Sequence, residues 1–293
     1  MGRPRPFFTF LLLAQHVVRR AARPRVRRAM GLPPTYIAFN LPELVLVLLL
    51  CAPVVAVVGL WRRRFRIGRE DALVRFLVSF GIVFPIAYAI ATKATLYDGM
   101  RHFLFLLPVI AVAAALVADD VFIRLEDFPY RWTIYMPLAV YCTMHLSIMT
   151  MLHPNQYVYY NAFAGGVEGA QRKFNLDYWA NSYAEAVQGL EDYLRAQYGL
   201  GFVEREFTVA VCGPPYSAEY YFPENFRFTE EENQADFFIA FTKDDCDRSL
   251  PGRPIYEVKR MGALLSVVLD RRDILAVQRS ADNQVGVDSR WDI

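Results

Sequence analysis

The sequence predicts an α-helical membrane domain of about four transmembrane helices, followed by a small soluble α/β or α+β domain. Three observations predict it. Four segments in the first half approach the roughly 20 apolar residues that cross a bilayer. Charge divides between the halves: residues 1–152 hold 18 Lys and Arg against 8 Asp and Glu, and residues 153–293 hold 14 against 22. At His153 the pattern changes from continuous apolar runs to an amphipathic helix and short β-rich runs. The chain is 55% hydrophobic, and its mean hydropathy of +0.19 lies between soluble and wholly membrane-embedded values.

The predicted spans run over residues 41–61, 72–91, 102–118 and 133–152, the third ending at Asp119-Asp120. Pro53, Pro85, Pro108 and Pro137 fall within them, which membrane helices tolerate because neighbours re-satisfy the freed backbone groups. The loop WRRRFRIGRED after the first span carries five arginines against two acids, so the positive-inside rule places it in the cytoplasm. The loop around Tyr97 and the soluble domain then lie outside, which predicts a multi-pass protein of the cell inner membrane with its C-terminal domain in the periplasm. Residues 1–31 form a basic N-terminal segment. Its apolar stretch at 7–18 is too short for a span and reads as an interfacial helix, a signal-like region or part of a longer reading frame.

The domain organisation follows: the basic segment at 1–31, a transmembrane domain at 32–152, a periplasmic domain at 153–280 and a frayed tail at 281–293. Within the soluble part, 182–198 has apolar residues at helical spacing and is stopped by Gly199 and Gly201. Strands are predicted at 207–211, 237–241, 255–259 and 264–269, with Gly-Pro-Pro at 213–215 and Pro-Gly at 251–252 between them.

Composition excludes several functions. The arginines flank apolar segments as topology signals do, without the interleaved aromatics of a nucleic-acid face. Cysteine and histidine spacing fits no metal site, and no glycine-rich phosphate motif follows a strand; Gly165-Gly166 reads as a turn. No cofactor is expected. A transporter is disfavoured, because the spans lack the paired charges of a coupled pathway.

Candidate residues gather at the outer membrane boundary. Asp98, Arg101 and His102 lie at headgroup depth, where Arg can fork onto a phosphate and His can donate to one; the plainer reading is a solvated interfacial loop. His153 and Tyr157 leave the last span in HPNQYVYYN, with Tyr97 across the boundary, and form either an aromatic belt or the lining of a lipid or sugar site. Asp177-Tyr178-Trp179 reads as a helix cap with an aromatic anchor, or as a ligand contact. Cys212 and Cys246 stand at strand ends and can pair in an oxidising compartment; Cys51 and Cys142 lie in apolar runs.

The stretches LPPTYIAFNLPELVLVLLL, LYDGMRHFLFLLPVIAVAAA, HPNQYVYYNAFAGGVEGAQRKFNLDYWANSYAEAV, ADFFIAFT and YEVKRMGALLSVV, in this order across residues 32–270, resemble the C-terminal half of bacterial family 39 membrane glycosyltransferases. That group is similar to protein O-mannosyltransferases and lipid A aminoarabinose transferases. The resemblance implies a partial GT-C fold, a polyprenyl-phosphate-linked sugar as donor, contact with membrane lipid, and transfer at the periplasmic face. It implies that Arg101 contacts the donor phosphate, with His102 and Asp98 in support. Members are roughly twice as long, and their catalytic acids lie in an outer loop after the first span. That loop has no counterpart here, since residues 1–31 contain no Asp or Glu. The catalytic residues are therefore unassigned, and the expectation is a portion of a longer enzyme, a half that needs a partner subunit, or a chain that has lost activity. The alternative is a non-catalytic, membrane-anchored periplasmic binding or scaffold protein.

Overall fold

The computed structural model describes residues 32–61, 68–94, 100–125 and 128–277. The basic segment at 1–31, the tail at 281–293, Tyr97 and Asp98 lie outside the described residues.

Helix α1 (Leu32–Asn40) starts on Pro33 and Pro34, which a first helical turn accommodates because its N–H groups have no intrahelical partner. It ends just before Leu41-Pro42, where the proline disfavours helical geometry in the residue preceding it. Helix α2 (Glu43–Trp61) follows at once, with Glu43 in its first turn, where a carboxylate complements the helix dipole. Helices α3 (Arg69–Ala91), α4 (Leu106–Leu125) and α5 (Trp132–Leu152) complete the helical half. Among the described residues, three helices are long and apolar enough to cross a membrane: α3, α4 over Leu106–Ile123, and α5; α2 is apolar over Glu43–Val55.

Helix α4 packs between α2 and α3, around Leu41, Ala89, Phe103, Leu106 and Ile110. Helix α5 stands apart. It meets α4 through the rings of Phe122 and Tyr135, 5.8 Å apart, and α2 through Tyr141, whose hydroxyl accepts the Leu44 N–H at 3.3 Å. On α3, Phe76, Phe80, Phe84 and Tyr88 form an outward ladder at every fourth residue, the spacing that keeps side chains on one helix face.

Helix α4 runs past the predicted stop at Asp119-Asp120. The reason is a partner on another helix: Arg75 of α3 donates two hydrogen bonds to the buried Asp120 carboxylate, at 2.8 and 2.9 Å. A paired carboxylate does not end an apolar helix as a solvated one would.

The soluble half is a five-stranded mixed sheet in the order β2-β1-β3-β5-β4, built from β1 (Phe207–Val211), β2 (Phe226–Phe228), β3 (Phe237–Phe241), β4 (Arg253–Arg260) and β5 (Ala263–Asp270). Strand β1 pairs parallel with β2 and β3, while β5 pairs antiparallel with β3 and β4. Strand alternation divides the side chains. Phe237, Ile239 and Phe241 face a core made with the amphipathic helix here numbered α7 (Tyr183–Tyr198), and Phe238 and Ala240 face the opposite side with Val267 and Leu269. Gly189 is required where α7 crosses β4, since a Cβ there would lie 2.4 Å from the Tyr256 ring. A disulfide joins Cys212, after β1, to Cys246 in the turn after β3. The short helix between the halves, α6 (Gly166–Ala170), starts from Gly165 in the left-handed region, which confirms a turn at the paired glycines.

Candidate functional site

The two halves meet where α5 ends. After Leu152 the chain folds back over the tops of the helices in two short turns, Gln156–Val158 and Ala162–Ala164. Asn161, 1% exposed, fixes this return. Its Nδ2 donates to the carbonyls of Ala38 and Leu41 at 2.7 and 2.8 Å, and its own N–H donates to Phe39 O at 2.8 Å. Its Oδ1 accepts from the N–H groups of Phe163 and Ala164, capping the second turn. One side chain thus ties the α1–α2 hinge to the segment that follows α5.

Glu43 completes the junction. One carboxylate oxygen accepts the Ala162 N–H at 2.7 Å and the other the Tyr141 hydroxyl at 2.8 Å. The Tyr141 ring stacks on His145, which meets Tyr159 edge-on, and Asn40 donates to Tyr159 O at 2.6 Å. Burial, followed by the charge of Glu43, raises the Tyr159 phenol far above its ordinary range, so it stays protonated. Beneath the junction, Leu152, Val158, Tyr160 and Leu176 share one core with Ala263 and Leu265 of β5, so the sheet is seated on the helical half.

The predicted site residues separate into two groups. Arg101 is exposed and opens a 3-10 turn, Arg101–Phe103, with His102 half-buried. Met100 and Phe103 on either side pack with Leu41, whose carbonyl Asn161 holds, so this turn lies at the same end of the helices as the junction. His153 and Tyr157 serve the soluble side. His153 is exposed, its Nδ1 lies 2.9 Å from Gln156 Nε2, and its carbonyl accepts from Arg260. The Tyr157 hydroxyl donates to Asp177. Burial, then the Asp177 charge, holds that phenol far above its ordinary range, so it remains a donor.

Asp177 organises the turn that leads into α7. It accepts the N–H groups of Asn181 and Ser182 at 3.0 and 3.1 Å, together with the Ser182 hydroxyl. Its neighbour Trp179 is 44% exposed and is braced by Tyr157 and Tyr178, ring centroids 5.3 and 5.1 Å away. Trp179 and Asn181 form one wall of an open cleft of about 200 Å³, and Tyr216, Ser217, Tyr220 and Tyr221 form the other. Asn181 is set by its Nδ2, which donates to Asn155 Oδ1 at 2.7 Å.

Sequence reasoning missed Glu43, Asn161 and this cleft. The signal for Glu43 was present, as an acid inside the apolar run LPELVLVLLL. The cleft had no local signal, because its walls are far apart in the chain. Among the described residues no cluster of three or more His, Cys, Asp or Glu is placed to hold a metal.

Fold and site define a class: a membrane-associated protein with at least three apolar helices of spanning length, carrying a small mixed α/β domain fixed to the helix ends. No family model, no curated protein and no solved structure matches the chain.

Proposed function

We propose that this chain is the C-terminal portion of an integral membrane glycosyltransferase, which transfers a sugar from a polyprenyl-phosphate-linked donor at the periplasmic face of the inner membrane. In this reading α2 joins α3, α4 and α5 as a fourth span in a partial GT-C fold. The Asn161–Glu43 junction carries the proposal. It holds the sheet domain against the same helix ends that present Arg101, which supports a phosphate contact at headgroup depth in this reading. Two further features support the side of the membrane. The Cys212–Cys246 disulfide suits an oxidising compartment, and the arginine-rich loop after α2 suits the cytoplasm.

In this mechanism the Arg101 guanidinium forks onto the donor phosphate and stabilises the charge that gathers there as the sugar leaves. His102 supports it. Glu43 is a positioning residue and not the base that deprotonates an acceptor hydroxyl, because both its oxygens are committed to Ala162 and Tyr141. In this reading the base that deprotonates the acceptor hydroxyl lies outside the described residues, and the acceptor is a separate substrate.

The test is a titration of the chain in nanodiscs with a polyprenyl phosphate and with the uncharged polyprenol of equal length. The phosphate should bind more tightly, and Arg101→Gln should weaken it by about ten- to a hundredfold, the loss of one charge-assisted contact. Equal binding of the two lipids, or no effect of Arg101→Gln, would overturn the reading. The alternative, a non-catalytic membrane-anchored binding protein, is favoured by one observation: the aromatic cleft beside Trp179 lies on the soluble domain and shares no residue with the junction.

A further inference from the structure

The lining of the cleft beside Trp179 is unusual for an exposed surface. It contains four aromatic rings, an amide and a hydroxyl, and among the described residues no charged side chain and no aliphatic one larger than Ala180. Tyr216 and Tyr220 present their rings to solvent from a short helix, α8 (Tyr216–Glu219), and its C-terminal end. Such exposure is normally avoided for large rings unless they have an occupant. Trp179 is held from behind by Tyr157 and Tyr178, so its outer face is available without any rearrangement. Asn181 is fixed by its Nδ2, which donates to Asn155 Oδ1, and it lines the cleft together with Ser217, so an amide and a hydroxyl stand among the rings.

We propose that this cleft is a binding site for a neutral pyranose sugar. A pyranose has a face of C–H groups and a rim of hydroxyls. The C–H groups carry slight positive charge and suit the negative face of an aromatic ring, and the hydroxyls need neutral acceptors and donors such as Asn181 and Ser217 supply. The missing charges argue against an anionic ligand, and the amide and hydroxyl among the rings favour a sugar over the membrane interface, which is the competing occupant that the vesicle experiment reads. At about 200 Å³ the cleft is smaller than the roughly 300–1,000 Å³ of pockets that enclose drug-sized molecules; it takes one ring and leaves the rest of a glycan in solvent. Rigid Trp and Tyr side chains give contact area at little entropic cost.

The proposal is independent of lipid-phosphate binding at Arg101, and its test reads a different ligand. The chain in nanodiscs free of glycolipid and sugar-based detergent is titrated with methyl α-mannopyranoside, methyl β-glucopyranoside and N-acetylglucosamine. Binding is read by saturation-transfer NMR on the ring C–H protons and by tryptophan emission. At least one sugar should show saturable transfer. Tyr220→Ala, at a residue 83% exposed and outside the core, should weaken it about five- to tenfold, as loss of one aromatic face predicts. Trp179→Phe should retain a weakened signal and lose the emission change. Saturable transfer that both variants leave unaltered would overturn the proposal. So would absence of saturable transfer for all three sugars. A third outcome also overturns it: Trp179 emission shifting to the blue on added vesicles while no sugar binds, which would make the cleft a membrane contact.

Discussion

Leu190 on α7 and Leu146 on α5 are the same side chain on two regular helices, and their surroundings are opposite. Leu190 is 0% exposed beneath the sheet, and Leu146 is 70% exposed. Helix α7 has one apolar face and a polar one carrying Glu191, Asp192 and Arg195, so its fold is complete in water. Helix α5 is largely apolar, and no residue in its spanning window is fully buried, although Tyr141 and His145 are half-buried at the junction. An apolar residue that no protein atom covers is stable only where the solvent is itself apolar. The sheet domain is therefore held by packing and a covalent cross-link, while the helical half has a smaller packed core around α4 and outward faces that depend on their surroundings.

Four experiments break or sharpen that contrast. The largest effect should come from the disulfide. Closing a loop with a separation of 34 residues stabilises by about 4 kcal/mol in the chain-entropy account, so Cys212→Ser with Cys246→Ser should lower the unfolding midpoint of the sheet. Helical content in nanodiscs should stay unchanged; joint melting of both halves would show that the contrast is false. Next is the leucine pair. Leu190→Ala should cost about 3 kcal/mol, and Leu146→Ala less than about 0.5 kcal/mol, compared by denaturant titration in one lipid. Equal losses would mean that α5 is covered by protein in the membrane.

Arg75→Ala tests the helical half at a polar anchor. Loss of one partner from a buried pair costs about 3–5 kcal/mol, and the partial exposure of Arg75 reduces that to about 2 kcal/mol. Arg75→Met combined with Asp120→Leu should recover most of it, as thermal aggregation curves would read. The smallest effect is one of pH. Burial opposes ionisation of Asp270, but hydrogen bonds from Arg272 outweigh it and leave the carboxyl below its ordinary range. A carboxyl lowered in the folded state stabilises above its unfolded value of about 3.9, and that contribution fades as pH falls through the folded value. The stability of the sheet to denaturant should be level from about pH 7 to 5 and fall below about pH 4, and Asp270→Asn should flatten the acid limb.

Local patterns were the legible part. Strands β1 and β3 fall on the predicted residues, and β5 exceeds its prediction by one residue at each end. Helix α7 begins at Tyr183, one residue after the predicted start, and the pairing of Cys212 with Cys246 was foreseen. These follow from periodicity and from residues near their own strand ends. Strand β2 was not foreseen, since Phe226–Phe228 is too short for a period to emerge. The end of α4 was misread because Asp120 is neutralised by Arg75, 45 residues away. Asn161 looks like any loop asparagine until the carbonyls of Ala38 and Leu41 are brought to it. The walls of the Trp179 cleft meet only after β1 and the turn at Gly213 have returned the chain past α7. Distance along the chain, and not weak chemistry, hid these features.

The Arg75–Asp120 pair also bears on how the protein reaches its place. A lone charge costs about 2.5–3.5 kcal/mol at a helix centre on insertion scales, and less toward the helix ends, where Arg75, near the start of α3, and Asp120, near the end of α4, lie. Joined, they cancel each other's charge and share two hydrogen bonds. Helices α3 and α4 are thus cheaper to deliver to lipid together, as a hairpin, than one after the other. A glycosylation-mapping assay on nascent chains would read this directly: α3 without α4 should insert less efficiently than the pair, and Arg75→Leu should remove the difference.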